Sequence, residues 1–288
     1  MIGPDRLERV TAGAVVPEQV IAYVRAVSEA TPSLFGSCVG YRSEERIVLV
    51  GYPLEDPRDE TRMSQAVEEA LSSPGLGQIT VLGPARPPQA PPAAERREDA
   101  YFALPLPAPP RNAKLRSLLR RAAHELVLET ERPFGREHAD LVARYLRERE
   151  LAEGTRLIFG RIPRVLAACP EARLFSARLA DGRLAAFAVG EFSPLTTACF
   201  LFCFRDHDLA PPGSADFVLA ALVAEAERRG HLRVNLGLGV NGGIAFFKRK
   251  WGATAFLPCI ETSWTPGRRQ GGREGGILTR FRRRLWDG

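Results

Sequence analysis

Lysine is scarce in this chain. Of 40 basic residues only Lys114, Lys248 and Lys250 are lysines, and two of the three fall within one turn of a short predicted helix. A lysine held on a rigid helix can donate to an oxygen that gains negative charge when a carbonyl carbon is attacked. A preorganised donor at that point is worth roughly 3 to 4 kcal/mol, which makes Lys248 the first candidate for chemistry. Two further side chains could accept a proton. His207 lies between Asp206 and Asp208, whose carboxylates could orient an imidazole that titrates near neutrality. Glu191 closes the apolar run 184–192 beside Gly190 and Phe192, a position that suits either a pocket or a solvated sheet edge. No second histidine or cysteine pair stands at zinc spacing, so no metal site is expected.

The elements that must position these groups are legible around them. Residues 234–252 read as strand, glycine turn, basic helix and glycine stop. Val234, Leu236 and Leu238 alternate, Ile244, Phe247, Lys248 and Trp251 recur at helical spacing, and Gly252 ends the helix. Arg249 and Lys250 read as a solvated face of that helix. Upstream, an apolar strand 199–205 leads through Pro211, Pro212 and Gly213 into a helix that ends near Arg229, with Ser214 as the expected N-cap. Such a helix start presents unpaired N–H groups and a positive dipole end, a seat for phosphate or an oxyanion. Gly213, Ser214 and Ala215 are therefore donor-binding candidates, although Ser214 and Asp216 need no ligand to explain them.

Gly237, Gly239 and Gly242 also spell G-x-G-x-x-G, with Glu261 further on, as a dinucleotide site would. The short helix, Pro258 in the next strand and the lack of further βαβ units argue against that reading. Asn241, Ala245, Phe246, Phe247, Lys248 and Gly252 instead resemble the last strand, helix and strand of the GNAT acyltransferase fold. The Phe-Lys pair followed by Arg-Lys-Trp-Gly is most similar to the Fem-type peptidyltransferases and the lysylphosphatidylglycerol-synthase C-terminal domain. That resemblance covers about residues 111–262 and implies paired GNAT-like lobes and an aminoacyl group taken from transfer RNA. It also implies a role for Lys248 near the acyl group, because Lys248 stands where many GNAT enzymes place a tyrosine acid. Asn241 and Phe247 would then contact the donor or fix the glycine turn. The coenzyme A loop of that fold is only partly matched by residues 213–215, so acyl-CoA and aminoacyl-tRNA both stay open as cosubstrates, with no tightly bound cofactor.

Length and composition frame these candidates. The 288 residues, 45% hydrophobic and 26% charged, suit one large or two medium domains. No apolar run reaches about 18 residues and the first nine residues are charged, which predicts a cytoplasmic protein without a membrane span or signal peptide. Five cysteines without paired spacing read as reduced thiols.

The expected architecture is α/β (α+β), two GNAT-like lobes, each a mixed central sheet flanked by helices. Residues 1–106 form a degenerate first lobe ending in a proline-rich linker 83–98 and a short strand 101–106, and residues 107–265 form the catalytic lobe. In the first, helices are expected over 17–30 and 60–71 and strands over 46–52 and 78–82. In the second, helices are expected over 112–126, 136–149 and 163–168, then strands 174–180 and 184–192. Two basic surfaces stand out. Lys114, Arg116, Arg120 and Arg121 share a helix face, with Arg116 and Arg120 as candidate contacts to transfer RNA or an anionic head group. Residues 266–288 form a basic tail, whose part from 268 on reads as an amphipathic basic helix suited to an anionic membrane surface, RNA or protein. The sequence thus predicts an acyl- or aminoacyltransferase acting on an amine or hydroxyl, with a lipid or envelope precursor among the acceptors it admits, and a cytoplasmic place that extends to the membrane's inner face. The alternative is a noncatalytic adaptor binding RNA or an anionic surface.

Overall fold

The computed structural model describes residues 3–109 and 111–267; the basic tail expected from 268 onward lies outside the described residues. The chain opens with α1 (Pro4–Ala12), a 3-10 turn (Pro17–Gln19), α2 (Ile21–Ser28), and strands β1 (Thr31–Phe35), β2 (Cys38–Ser43) and β3 (Arg46–Val50). Next come α3 (Glu60–Leu71), β4 (Gln78–Gly83), β5 (Glu95–Pro105), α4 (Ala113–Glu125) and β6 (Leu126–Glu129). Three helices follow, α5 (Arg136–Arg147), α6 (Glu153–Gly160) and α7 (Ile162–Ala168), then β7 (Ala172–Leu179), β8 (Leu184–Glu191) and β9 (Thr197–Arg205). The last elements are α8 (Ser214–Arg228), β10 (Arg233–Leu238), α9 (Gly242–Lys250) and β11 (Thr254–Trp264).

The class is mixed α/β, and the strands of both expected lobes join one eleven-stranded sheet in the order β1-β2-β3-β4-β11-β5-β10-β9-β8-β7-β6. Two strands stitch it together. The last strand, β11, runs between β4 and β5, and β5 runs between β11 and β10. β5 begins inside the stretch read as linker because a paired strand needs only its backbone. Glu95, Arg96, Arg97 and Glu98 keep exposed charges while pairing with β11. Pro258 does not break β11. The strand gains β4 as a second neighbour only from Ile260 onward, so at Pro258 no ladder bond is lost on that side. The hairpin β1–β2 carried no readable alternation, since Pro32, Ser33 and Gly40 interrupt it. At Gly40 a Cβ would lie 2.6 Å from the Phe35 ring.

Helices cover both faces. α8 packs on β7, β8 and β9 with α4 against it, and its buried Val218, Leu219, Leu222 and Val223 fill the core of that face. On the other face α2, α5, α6 and α7 pack over Phe187, Val189, Phe202 and Phe204. No helix among the described residues is long and apolar enough to cross a membrane.

One contact locks α9 to α8. Buried Asp216 accepts from Lys250 Nζ at 2.8 Å and from Trp251 Nε1 at 2.8 Å. Lys250 is therefore a structural ion-pair partner, not a solvated charge, and Asp216 is a tie between helices more than a first-turn carboxylate. Asp216→Ala leaves an ammonium and an indole N–H without their acceptor, and a loss of about 2 to 4 kcal/mol is expected in urea unfolding.

Candidate active site

Parallel strands β9 and β10 pair only through Thr197–Cys199 and Arg233–Asn235. Beyond that point both continue but part. β9 runs on to Arg205, while β10 bulges between Asn235 and Leu238 as it follows β5. Gly237, at φ 76°, makes the bulge, and Asn235 Oδ1 accepts its N–H at 2.8 Å. A cavity of about 700 Å³ opens in the wedge, walled by the end of β9, the end of β10, the face of α9 and the Pro17–Glu18 turn.

Lys248 reaches this cavity from α9. Only 4% of its surface is exposed, and Nζ donates to the carbonyl of Leu238 and lies 5.7 Å from the Phe102 ring centroid. Burial pushes its pKa from 10.5 down to about 7, partly opposed by the charge of Asp99. Lys248 is thus no solvated charge, whereas Arg249 is exposed as expected. Phe246 is 67% exposed, because α9 turns it away from both the cavity and the core.

The turn before α9 is pinned from β5. Asp99 accepts from Gly239 N at 2.9 Å and from Val240 N at 2.8 Å, and a Cβ on Gly239 would lie 2.7 Å from the same carboxylate. Val240 is held at φ 54°, a left-handed conformation unfavourable for a β-branched residue. Asn241 caps α9, its Oδ1 accepting from Gly243 N and Ile244 N at 3.0 Å each. Asn241 and Phe247 both line the cavity.

The remaining candidates divide. Ala215 lines the cavity, but Gly213 and Ser214 do not. Gly213 is the N-cap of α8, at φ 93° over Leu118, and Ser214 is the first helical residue. The Ser214 hydroxyl donates back to Pro211 O at 2.6 Å, so the capping role expected of it is not filled. His207 stands exposed on the rim, its Nε2 3.3 Å from the Arg149 guanidinium. An arginine can only donate, so Nε2 is the acceptor there. Glu191 is fully buried and does not line the cavity. Its Oε1 accepts from Ser193 N at 2.8 Å and from the Ser193 hydroxyl, closing the turn after β8. Arg116 and Arg120 are exposed on α4, away from the cavity.

Three groups that the sequence reading passed over complete the walls. Arg149 and Arg205 join His207 at the mouth, and Glu18 faces the interior with Tyr23 and Tyr101. Glu18 carried a readable signal, a lone acid inside the apolar run Val15, Val16, Val20 and Ile21. Tyr101 and Asp99 carried none, since only the placement of β5 beside β10 turns them toward the site.

No protein-family model matches this sequence, and no curated protein does. Solved structures do match over almost the whole chain. L-PGS from Bacillus licheniformis superposes with a TM-score of 0.60 at 14% identity, covering 99% of this chain and 98% of that one. The C-terminal domain of a protein described as a lysylphosphatidylglycerol synthetase from Agrobacterium fabrum gives 0.57 at 16%, covering 90% and 92%. FemX gives 0.62 at 9% identity, covering 90% and 96%. Two parting parallel strands, a helix beginning beside them and a stitched sheet across the whole chain are thus the GNAT-like fold that this protein shares with L-PGS and FemX.

Proposed function

We propose that the protein transfers an acyl or aminoacyl group from an activated ester or thioester to an amine or hydroxyl acceptor inside the β9–β10 wedge. The observation that carries this is Lys248, a buried ammonium with a single hydrogen-bonded carbonyl partner, aimed at a cavity large enough for a substrate. The acceptor's nitrogen or oxygen attacks the donor carbonyl carbon. Negative charge builds on the carbonyl oxygen, and Lys248 donates to it. The tetrahedral species then collapses, the bond to the ester oxygen or thiol sulfur breaks, and the acceptor's proton leaves with the departing group or through His207. Of the two candidate bases only His207 lies on the cavity wall. Burial of Lys248 lowers the local dielectric, which strengthens its donation to the developing charge.

The donor's phosphates belong at the mouth. Arg149 and Arg205 supply positive charge there, and the first turn of α8 reaches the wall at Ala215. Both an acyl-CoA and the 3′ end of a charged transfer RNA carry phosphate that such a mouth would hold. Similarity of fold to L-PGS and FemX supports the aminoacyl donor, and by the same analogy a lipid or envelope-precursor acceptor. The adaptor reading, binding without turnover, is favoured by no feature of the cavity. A panel of acetyl-CoA, long-chain acyl-CoA and charged transfer RNA, each with radiolabelled acyl group, tests the reading. Transfer from one of them to an amine or hydroxyl is the expected result, and salt-labile binding of all three without transfer would overturn it.

Lys248→Met is expected to lower kcat/KM by about 10² to 10³ while donor binding persists, since only the developing charge loses its partner. In the unaltered protein the charged lysine is the working form, so kcat/KM should fall as pH rises through about 7, and this limb should vanish in the variant. The same substitution should stabilise the fold at neutral pH by about 1 to 3 kcal/mol. A lysine whose pKa drops from 10.5 to about 7 on folding lowers stability below pH 10.5, and its removal ends that cost at the loss of one bond to Leu238. For the unaltered protein the sign requires stability to rise between pH 7 and 10.5, a slope that thermal melts of wild type and variant will reveal or exclude.

A further inference from the structure

Glu18 takes no part in the transfer step, yet it is the best-buried acid on the cavity wall. Its residue is 9% exposed, and it lines both the main cavity and a narrow apolar one of about 40 Å³ behind it. Tyr101 donates to its Oε2 at 2.8 Å, and no cation among the described residues pairs with it. The backbone around it is clamped. Tyr41 donates to the Glu18 carbonyl at 2.8 Å, and Gln19 binds Val15 N and Tyr52 O at 2.8 Å each. A buried carboxyl fixed this firmly and facing an open volume without a counterion carries its charge at least cost when a cation arrives from outside the chain.

We propose that Glu18, flanked by Tyr23 and Tyr101, binds an ammonium group of the substrate at the inner end of the cavity. The proposal rests on the transferase reading above and narrows its substrate: one of the two reacting molecules carries a primary amine that stays charged in the complex. The rings of Tyr23 and Tyr101 add cation–π attraction to the ion pair, and the guanidinium groups of Arg149 and Arg205 hold such a group away from the mouth. The ammonium belongs either to the aminoacyl part of a donor or to an amine on the acceptor.

The site also links binding to protons. Burial holds the Glu18 carboxyl above the usual carboxylate range, with its own backbone and the Tyr101 hydroxyl opposing that shift. The titratable groups facing it are Tyr101 on β5, Tyr23 on α2, Tyr41 on β2, and Cys199 and Cys259 on β9 and β11, with Tyr52 beyond. Burial pushes the pKa of each upward, so none of them ionises near neutrality. An arriving ammonium favours ionised Glu18, and its affinity must therefore rise with pH until that carboxyl is fully ionised.

Calorimetric titration of the full chain tests this with three probes: leucine amide as the donor-like amine, butylamine as the acceptor-like amine, and N-acetyl-leucine amide as the uncharged control. Either amine should bind at least about tenfold more tightly than the acetylated control, and Glu18→Gln should remove that preference without weakening the control. Butylamine affinity should climb in the unaltered protein as pH rises above the ordinary carboxylate range, and the climb should be smaller in Glu18→Gln, which keeps His207 and Lys248. Should that variant fail to fold, Tyr101→Phe serves in its place. It withdraws a donor from the carboxylate and should weaken amine binding at neutral pH about threefold or more. Equal binding of amine and acetylated probes, or an unchanged preference in the variants, overturns the proposal. Transfer in the donor panel without amine binding retires this subsite and leaves the reaction standing, whereas amine binding without transfer leaves the subsite and retires the reaction.

Discussion

The β9–β10 ladder ends after three register pairs, and the backbone groups past Asn235 must then find other partners. The Asn235 side chain supplies one of them and ties a second segment to the strand. Fully buried, it accepts from Gly237 N at 2.8 Å and donates through Nδ2 to Val15 O at 2.8 Å. The first bond fixes the bulge that carries β10 away from β9 and brings the Leu238 carbonyl under Lys248. The second fastens the segment that carries Glu18 to the same strand. One amide side chain thus sets the width of the wedge and hangs the two ionisable groups on it from opposite directions.

Sheet order makes that arrangement reachable. Because β5 runs between β11 and β10, residues near position 100 stand beside α9. Asp99 and Tyr101 reach the site from β5, one pinning the turn before α9 and the other the carboxylate of Glu18. A break between two separate sheets would leave Glu18 and Lys248 on different bodies. In the continuous sheet their separation is fixed by backbone pairing, so charge at the mouth, at the lysine and at the glutamate keeps a constant spacing. Burial shifts the lysine down and the glutamate up, each toward its neutral form. Each group therefore holds its charge best against a ligand that matches it, which favours a substrate with an electron-rich carbonyl at one end and a cation at the other.

What the sequence reveals of this follows from range. Local patterns are legible: the helix 60–71, the strand, turn and basic helix after Val234, and Lys248 itself all rest on spacing within a few residues. Long-range facts are not. Glu191 and Glu18 are both acids in apolar runs, and nothing in their neighbours says that one closes a turn on Ser193 while the other faces a cavity. Ser214 reads as an N-cap by residue type, but Gly213 takes the position because its backbone passes over Leu118 in a conformation that disfavours a side chain. The linker reading of 95–98 failed for the same cause, since a strand that pairs through its backbone can carry charges along its length.

The scarcity of lysine then acquires a physical sense. Arginine remains charged at any ordinary pH and offers five donors in a rigid fork, so a buried arginine needs several acceptors at once. Arg178 has them, from Glu129 and Glu137 at 2.5 and 2.7 Å. The pocket beside Leu238 has one carbonyl, the Phe102 ring and, farther off, the Asp99 carboxylate that already holds the backbone N–H groups of Ala100, Gly239 and Val240. An arginine there would leave donors unsatisfied, whereas an ammonium can spend one proton on Leu238, keep the others for a substrate oxygen and lose its charge when none is present. In a chain whose cations are otherwise mostly arginine, apart from exposed Lys114 and Lys250 paired with Asp216, lysine at 248 fits a place where a cation must be buried, small and able to give up its proton.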